Sequence, residues 1–331
     1  MPSSPFSFTS LIGQDKAVKM LTASVYQKKM SHAYLFRGPD GVGKKRTAFA
    51  FAAFINCHAR QDNTACGSCP SCLKFRSGNH PDLTVIEPDG AFIKISQVRE
   101  LIKTLAYPPY EAGYRIVLMT EVQAMRREAA NSLLKTLEEP PENTVLILTA
   151  DTAGKILPTI ISRCQTIPFF SLPYDQVSKK LVIEHDLERK EALTLAAVAK
   201  GSLGLAEELL EKKLLPFRRT LVETLMHSTR EQPESVAAIM ELAEASAKYK
   251  ENLPELLDLL QIWLRDLLFV ANGLPERIIS KDLLPLLSKA GRRWDKKQLT
   301  RKLSLIDQAR KQLFRNCNRT LVCEVLFFGL L

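Results

Sequence analysis

Gly38-Pro39-Asp40-Gly41-Val42-Gly43-Lys44 is the stretch that decides the fold of the first half of the chain, because it lies between an apolar run at 33–36 and a helical pattern at 45–55. A strand, a glycine-rich turn and a helix in this order are typical of a phosphate-binding loop. Glycines let backbone N–H groups point at phosphate oxygens, and the start of the helix adds the positive end of its dipole. The candidate nucleotide-binding residues are therefore Gly38, Gly41, Gly43 and Lys44.

The strand pattern continues downstream of this loop in three further apolar runs, at 83–86, 116–119 and 145–148. Helical patterns at 96–105 and 126–137 separate them. Short apolar strands that alternate with helices are typical of a parallel sheet buried on both faces. We therefore predict one α/β domain over residues 1–170.

The second half of the chain has a different composition. Only five of the 14 glycines lie after residue 170, and leucine and alanine recur at helical spacing, as in 256–264. This periodicity predicts helices throughout. Prolines stand where such helices would begin or end, at 173, 216, 233, 254 and 275. We predict a small helical domain at 171–213 and a larger one at 214–331.

Two residues that a magnesium ion would need beside the loop are missing. The residue after the loop lysine should be Ser or Thr, whose hydroxyl binds Mg²⁺, but it is Lys45, and an ammonium group cannot bind a cation. The strand at 116–119 should end on Asp-Glu, but Thr120 and Glu121 follow it. We therefore expect no productive binding of Mg-ATP and no hydrolysis. An empty loop and a loop that retains nucleotide both stay open.

Four of the seven cysteines lie close together, in the spacing C-x8-C-x2-C-x2-C. Four thiolates can complete a tetrahedral zinc shell that leaves no open position for catalysis. We predict one structural zinc ion bound by Cys57, Cys66, Cys69 and Cys72. Four reduced thiols without metal are one alternative. A zinc-dependent nucleic-acid-binding module is another, although few aromatic residues lie beside these cysteines to stack on bases.

Two histidines near this cluster, His58 and His80, are not needed to complete the zinc shell, and we predict that both lie at the surface. The other cysteines, Cys164, Cys317 and Cys323, are scattered along the chain. Reduced cysteine behaves as a small hydrophobic residue. We therefore predict that these three are core residues without a reactive role.

The composition is that of a globular protein with a basic surface. The 331 residues carry a formal net charge of +10, and 46% of them are hydrophobic. A basic balance suits an anionic partner such as DNA, but Lys and Arg are dispersed, so a solvated basic surface explains it equally well. No run of about 18 apolar residues predicts a membrane span. Residues 1–5 show no charged segment followed by an apolar one, and we expect a cytoplasmic location without membrane contact.

Four more segments occur in an order that is typical of one protein family: Leu11-Ile12-Gly13-Gln14, Ser-His-Ala-Tyr-Leu-Phe at 31–36, Asn-Ser-Leu-Leu-Lys-Thr-Leu-Glu-Glu-Pro-Pro at 131–141, and Ser162-Arg163-Cys164. Together with the cysteine segment at 57–72, they resemble the motifs of bacterial clamp-loader AAA+ subunits. The resemblance is specific in the first half and looser in the helical half. It implies an α/β AAA+ P-loop domain, with a parallel sheet and flanking helices, followed by a small helical lid and a C-terminal helical collar.

The resemblance also implies a function and partners. Members of this family form a ring that loads the beta sliding clamp at primer–template DNA, within the DNA polymerase III holoenzyme. The implied direct partners are the tau/gamma and delta clamp-loader subunits, and the clamp and DNA are reached through the complex. The arginine of the Ser-Arg-Cys element is a finger that acts in trans on the nucleotide of a neighbouring subunit. Arg163 is therefore the catalytic residue that the resemblance assigns, with a surface or ion-paired arginine as the alternative.

A second arginine, on the lid of active family members, has no counterpart here. Within Gly201-Ser202-Leu203-Gly204-Leu205-Ala206, Gly204 stands in its place. The chain thus lacks groups for its own ATP and keeps the one offered to a neighbour, as the non-hydrolysing subunit of the family does. An active ATPase of the tau/gamma type and a zinc-dependent nucleic-acid-binding protein stay open as alternatives.

Overall fold

The computed structural model describes residues 8, 11–111, 113–151, 156–229, 231–290 and 294–331. The chain forms two compact units, which comprise residues 1–172 and 173–331. Among the described residues, no helix combines the length and the apolar character that a membrane span requires.

The first unit is built on a parallel sheet of five strands: β1 Ala33–Arg37, β2 Leu83–Ile86, β3 Arg115–Met119, β4 Thr144–Ala150 and β5 Gln165–Pro168. Their order across the sheet is β2-β3-β4-β1-β5, and every pair of neighbours is parallel. The predicted parallel sheet is thus confirmed. The sequence did not predict β5, because this edge strand is short, half polar and ends on a proline.

Helices cover both faces of the sheet: α1 Asp15–Tyr26, α2 Lys44–Ile55, α3 Pro70–Arg76, α4 Ile95–Leu105, α5 Arg127–Glu138 and α6 Pro158–Ile161. Successive side chains of a strand point to opposite faces. In β1, Tyr34 and Phe36 therefore pack into the cluster that contains Phe51 and Phe54 of α2. Leu35 packs into the other cluster, which includes residues of α4 and α5. Both faces of β1 are therefore buried, which explains why this strand is a continuous apolar run in the sequence.

The second unit is helical, as predicted: α7 Tyr174–His185, α8 Arg189–Val198, α9 Leu203–Glu211, α10 Leu214–His227, α11 Pro233–Ala247, α12 Leu253–Ala271, α13 Leu284–Ala290, α14 Lys296–Phe314 and α15 Arg319–Leu330. Pro233 and Pro254 stand in the first turn of α11 and of α12, where a missing N–H costs no hydrogen bond. Trp263 of α12 is fully buried and meets the ring of Trp294 edge-on, with centroids 5.8 Å apart. These two rings mark the core of the unit.

Candidate functional site

The glycine-rich loop connects β1 to α2 at the carboxyl edge of the sheet. Gly41 and Gly43 have φ angles of 68° and 102°, in the left-handed region that glycine adopts most readily. Gly38 is required for another reason, because a Cβ at this position would lie 2.3 Å from the carbonyl oxygen of Phe169. The loop thus places the first N–H groups of α2 at the edge where parallel sheets bind phosphates.

Lys44 folds back onto this loop. Its Nζ donates to the carbonyl oxygens of Gly38 at 2.5 Å and Pro39 at 2.7 Å, and it lies 3.0 Å from Asp40 Oδ1. The residue is buried. An ammonium group has three N–H donors, so the loop itself supplies an acceptor for each. A phosphate that bound here would have to displace these acceptors, including the charged Asp40.

The start of α2 offers no hydroxyl to a magnesium ion at the expected position. Lys45 pairs instead with Glu87, with Nζ 2.5 Å from Oε1, and both side chains are half exposed. Thr47 is fully buried, and its hydroxyl donates to the carbonyl oxygen of Gly43 at 2.9 Å. Since this bond lies within the helix, Thr47 does not replace the missing ligand.

Thr120 and Glu121 follow β3 at the same edge of the sheet. Glu121 is exposed, and its backbone N–H donates to the hydroxyl of Thr149 on β4 at 3.3 Å. Gly38 N–H donates to the carbonyl oxygen of Ala150, the next residue of β4, at 3.1 Å, so the structure brings these residues to the loop. Thr149 was not predicted as a site residue, although a polar side chain in an apolar strand is an indication of a functional contact.

The side chain of Gln14 connects the glycine-rich loop to the backbone that follows β5 by hydrogen bonds. Its side-chain amide donates to the carbonyl oxygens of Val42 at 3.2 Å and Phe170 at 2.8 Å. Its Oε1 accepts from the N–H of Phe170 at 3.3 Å. Gln14 is buried, so these bonds are shielded from water. The motif Leu-Ile-Gly-Gln was singled out by resemblance alone, and the structure supplies the physical role of its last residue.

The four clustered cysteines meet beyond the end of α2 and around α3. Their sulfur atoms all lie within 4.8 Å of one another, and the sulfurs of Cys66 and Cys72 are 3.9 Å apart. In a tetrahedral site with Zn–S bonds of about 2.3 Å, the sulfurs are about 3.8 Å apart. Cys57, Cys66, Cys69 and Cys72 therefore fit a metal ion that takes four thiolates.

Backbone N–H groups support this arrangement by donating to sulfur. The N–H of Cys66 donates to Cys57 Sγ at 3.2 Å, and that of Cys69 to Cys66 Sγ at 3.3 Å. Backbone hydrogen bonds from Ser68 and Cys69 lower the pKa of Cys66 to about 6, whereas burial raises the pKa of Cys57 and of Cys72. A cation bound by these sulfurs would keep such buried thiols deprotonated.

The prediction of two surface histidines is right for one of them. His58 is exposed, but His80 is buried. The ring of His80 stacks on Phe75 of α3, with centroids 4.1 Å apart. Its Nε2 lies 3.2 Å from Ser71 Oγ, and its Nδ1 accepts from the N–H of Asp82 at 3.2 Å. Burial lowers the pKa of His80, which therefore holds α3 against the chain before β2 as a neutral ring.

The three scattered cysteines also differ from one another. Cys323 is buried in α15, as predicted. Cys164 is half-buried, and burial raises its pKa to about 12. Cys317 is exposed, so its prediction as a core residue is wrong. It lies in the turn between α14 and α15, where no helix face covers it.

Arg163 lies in the turn between α6 and β5. Its Nη2 is 2.6 Å from Glu138 Oε1 at the end of α5. Its Nη1 donates to the carbonyl oxygen of Thr159 at 3.0 Å and lies 3.4 Å from Ser162 Oγ. The side chains of Arg163 and Glu138 are 34% and 49% exposed. The guanidinium is therefore held by contacts within the chain while part of it faces solvent.

Gly204, the residue that by resemblance replaces a second arginine, lies in the second unit. Gly204 stands in the first turn of α9, whose N-cap residue Ser202 accepts from the N–H of Leu205 at 3.1 Å. No side chain is present at this position, so it contributes no charge to a nucleotide.

Two family models match the chain. The model described as "DNA polymerase III, delta subunit" matches residues 13–173, and the model for the C-terminal part of that subunit matches residues 213–330. The two matches fall on the α/β unit and on most of the helical unit.

Individual proteins show the same relationship. The DNA polymerase III subunit delta' of Bacillus subtilis is 30% identical over 305 residues, which covers 92% of each chain. The DNA polymerase III subunit tau of the same organism is 34% identical over 216 residues, 63% of this chain and 38% of that protein. A solved structure of a gamma subunit-related protein from Thermotoga maritima covers 95% of this chain and 97% of its own, with a TM-score of 0.48 and 19% identity.

The match to a delta' subunit spans both units and nearly the full length of both proteins, whereas the match to tau covers less than two thirds of this chain. The delta-subunit models repeat this agreement in the α/β unit and in the helical unit. The chain therefore belongs to the delta-prime subunits of DNA polymerase III, within the AAA+ clamp-loader family.

Proposed function

We propose that this chain is the clamp-loader subunit that hydrolyses no ATP itself and donates Arg163 to the ATP site of a neighbouring subunit. The contrast between two sites carries the proposal. At the loop, the Lys44 ammonium is bonded within the loop, and Lys45 stands where a magnesium ligand is needed. At the turn after α6, the Arg163 guanidinium is held in place and partly exposed. A planar guanidinium in that state can reach an anion on another chain.

The proposed complex contains the tau/gamma and delta subunits and acts in the DNA polymerase III holoenzyme. Within it, the chain serves as a rigid partner while the ring loads the beta sliding clamp at primer–template DNA. The net charge of +10 favours work close to a polyanion, and a cytoplasmic location follows from a role in replication. Co-purification from the source cell, with partners identified by mass, tests this composition. A chain that purifies without other replication subunits contradicts it.

We keep the division of the helical half into a lid at 171–213 and a collar at 214–331 as part of the proposal. It is supported by the family model for the C-terminal part, which begins at residue 213. Hydrogen exchange measured along the chain tests the boundary. Uniform protection from α7 to α15 would argue for a single cooperative domain.

The first test concerns ATP turnover by the isolated chain. We expect none above background, because Lys45 and Thr120 replace groups that would bind Mg²⁺. Lys45→Thr alone should not restore turnover, since Thr120 remains. Robust turnover that disappears in Lys44→Ala would show instead an active ATPase of the tau/gamma type. Weak binding of nucleotide without turnover is compatible with the proposal.

The second test concerns Arg163 in the assembled complex. Arg163→Ala should fold and assemble but lower ATP hydrolysis and clamp loading, because one ATP site loses its finger. A finger that serves the only site can be worth about 10³ to 10⁵ in rate, and the bulk loss in a ring with several sites is smaller. Arg163→Lys should not restore the rate, since a point charge lacks the planar fork. Unchanged loading by a complete Arg163→Ala complex would refute the trans role.

We also propose one structural zinc ion at Cys57, Cys66, Cys69 and Cys72. The sulfur separations and the N–H···S bonds support it. Elemental analysis should find one zinc per chain, and Cys72→Ser should abolish it, while Cys317→Ser, at an exposed thiol, should not. Chelation should loosen residues 57–76 and leave the sheet folded. Zinc-free protein, or unfolding of the whole chain on chelation, would contradict the proposal.

A further inference from the structure

The Arg163 guanidinium is held by acceptors from two elements of the first unit. Glu138, the last residue of α5, pairs with Nη2 at 2.6 Å. Thr159 and Ser162, from α6 and the turn after it, accept from Nη1 at 3.0 Å and 3.4 Å. A guanidinium has five N–H donors in a fixed plane. Contacts at both terminal nitrogens therefore fix the direction of the plane as well as its position.

The energetics of this ion pair argue against a role in stability. Both side chains are more than a third exposed, at 34% and 49%, and exposed ion pairs contribute little to stability. Glu138 also occupies an unfavourable place, because the carboxyl end of a helix carries the negative end of its dipole. A second acid, Glu139, follows directly. A carboxylate at this end of α5 therefore does not serve to stabilise the helix, and what the pair supplies is the orientation of the guanidinium.

We infer that Glu138 is a positioning residue, which aims the Arg163 guanidinium at the nucleotide of the neighbouring subunit. The inference rests on the proposed role of Arg163. Without the carboxylate, only the backbone oxygen of Thr159 and the hydroxyl of Ser162 restrain one end of the group, and Nη2 can turn away. Misplacement of a reacting group by about 1 Å can lower a rate by about 10²-fold.

The test uses the assembled clamp loader with five variants of this chain. Glu138→Gln keeps the shape of the side chain and removes its charge. Glu139→Gln makes the same change one residue later, at an exposed carboxylate, and is the matched control. Arg163→Ala and the double variant with Glu138→Gln complete a cycle that isolates the coupling between the two residues. Assembly of each complex is checked by its elution volume and subunit content.

For Glu138→Gln we expect kcat for ATP hydrolysis to fall about threefold to tenfold at the affected site, with KM for ATP unchanged, because only the transition state loses a contact. Glu138→Asp, which retains the charge on a shorter stem, should recover part of the rate. Glu139→Gln should match the unmodified complex. The double variant should be no slower than Arg163→Ala, since there is then no finger to aim.

Three outcomes overturn the inference. If Arg163→Ala lowers the rate and Glu138→Gln does not, the trans role of Arg163 is supported but its positioning by Glu138 is refuted. If Glu138→Gln raises the rate, the carboxylate restrains the finger and does not aim it. If Arg163→Ala has no effect in a complete complex, the proposed trans role fails and Glu138 has nothing to position.

Discussion

Two of the arginines that pair with carboxylates, Arg163 and Arg218, differ in burial. In the first unit, the side chains of Arg163 and Glu138 are 34% and 49% exposed. In the second, those of Arg218 and Asp282 are 0% and 4% exposed. A buried ion cannot leave its partner without an uncompensated charge remaining, whereas an exposed pair is screened by water. The arginine–carboxylate pair is therefore a lasting contact in the second unit, where it is buried. In the first unit, where it is exposed, the arginine can exchange its partner.

The Arg218 pair belongs to a polar network inside the helical unit. Asp282 also accepts from the hydroxyl of Thr194 on α8 at 3.0 Å. Asp266 of α12 accepts from the N–H of Ser280 at 2.7 Å, and its charge adds to that of Asp282 around the guanidinium. Burial lowers the pKa of Arg218, and the two carboxylates oppose this shift. The network joins α8, α10 and α12, which suits a subunit that acts as a rigid partner.

The largest effect should follow from removing the buried arginine. Arg218→Met keeps most of the side-chain volume but leaves the carboxylate of Asp282 buried without its cation. We expect the helical unit to lose about 3–5 kcal/mol of unfolding free energy, measured by denaturant titration. Arg219→Met is the matched control, since Arg219 is the next residue of α10 and is exposed. Equal losses in both variants would show that the burial of Arg218 is not what makes its ion pair stabilising.

Breaking the exposed pair of Arg163 and Glu138 should change the unfolding free energy very little. Arg163→Ala and Glu138→Gln should each change the unfolding free energy of the first unit by less than about 1 kcal/mol. High salt should reduce this difference further, because it screens exposed charges. A loss of several kcal/mol in either variant would make this pair structural and remove the contrast with Arg218.

Glu255 of α12 provides the smallest test, because it is a partly buried carboxylate that forms no ion pair with any residue in the described part of the chain. Its Oε2 has no hydrogen-bond partner among the described residues, and burial raises its pKa, with Asp258 and Glu208 adding to the shift. Folding raises the pKa of this carboxyl group, so the protonated form favours the folded state and the ionised form favours the unfolded state. This stability is therefore lost as the pH rises from the usual carboxyl pKa, about 4.3, through the higher folded value.

Glu255→Gln removes this titration. We expect the variant to be more stable than the unmodified chain at neutral pH, by about 0.5 kcal/mol or less, and the difference to vanish in acid. Thermal unfolding followed at several pH values checks the sign. A variant that is less stable at neutral pH would mean that the ionised carboxylate has a partner that offsets its burial.

The sequence predicted the parts of the fold that depend on local pattern. The runs that became β1, β3 and β4 are apolar because both faces of the sheet are buried there, whereas the edge strand β2 is partly exposed. The glycine-rich loop and the cysteine spacing were also readable, since each is contained in a short segment. The edge strand β5 was not predicted because its four residues are too few to show a recognisable strand pattern.

Contacts between distant residues could not be predicted in this way. Arg218 and Asp282 are 64 residues apart and lie among leucine-rich helices that look alike in sequence. His80 was predicted to lie at the surface because the zinc shell does not need it, but it is buried and stacks on Phe75. Glu138 stood inside a quoted motif, yet nothing local indicates that its carboxylate meets Arg163.

The close approach at Gly38 has a consequence for how such chains change over generations. A side chain at this position would collide with the backbone of Phe169, so selection for folding retains the glycine whether or not ATP is hydrolysed. Gln14 hydrogen-bonds the same loop to the backbone of Phe170, so the fold constrains this residue as well. A descendant can therefore keep the glycine signature of an ATPase long after it has lost the chemistry. Changes that remove the chemistry are tolerated at exposed positions such as Lys45, which packing does not constrain.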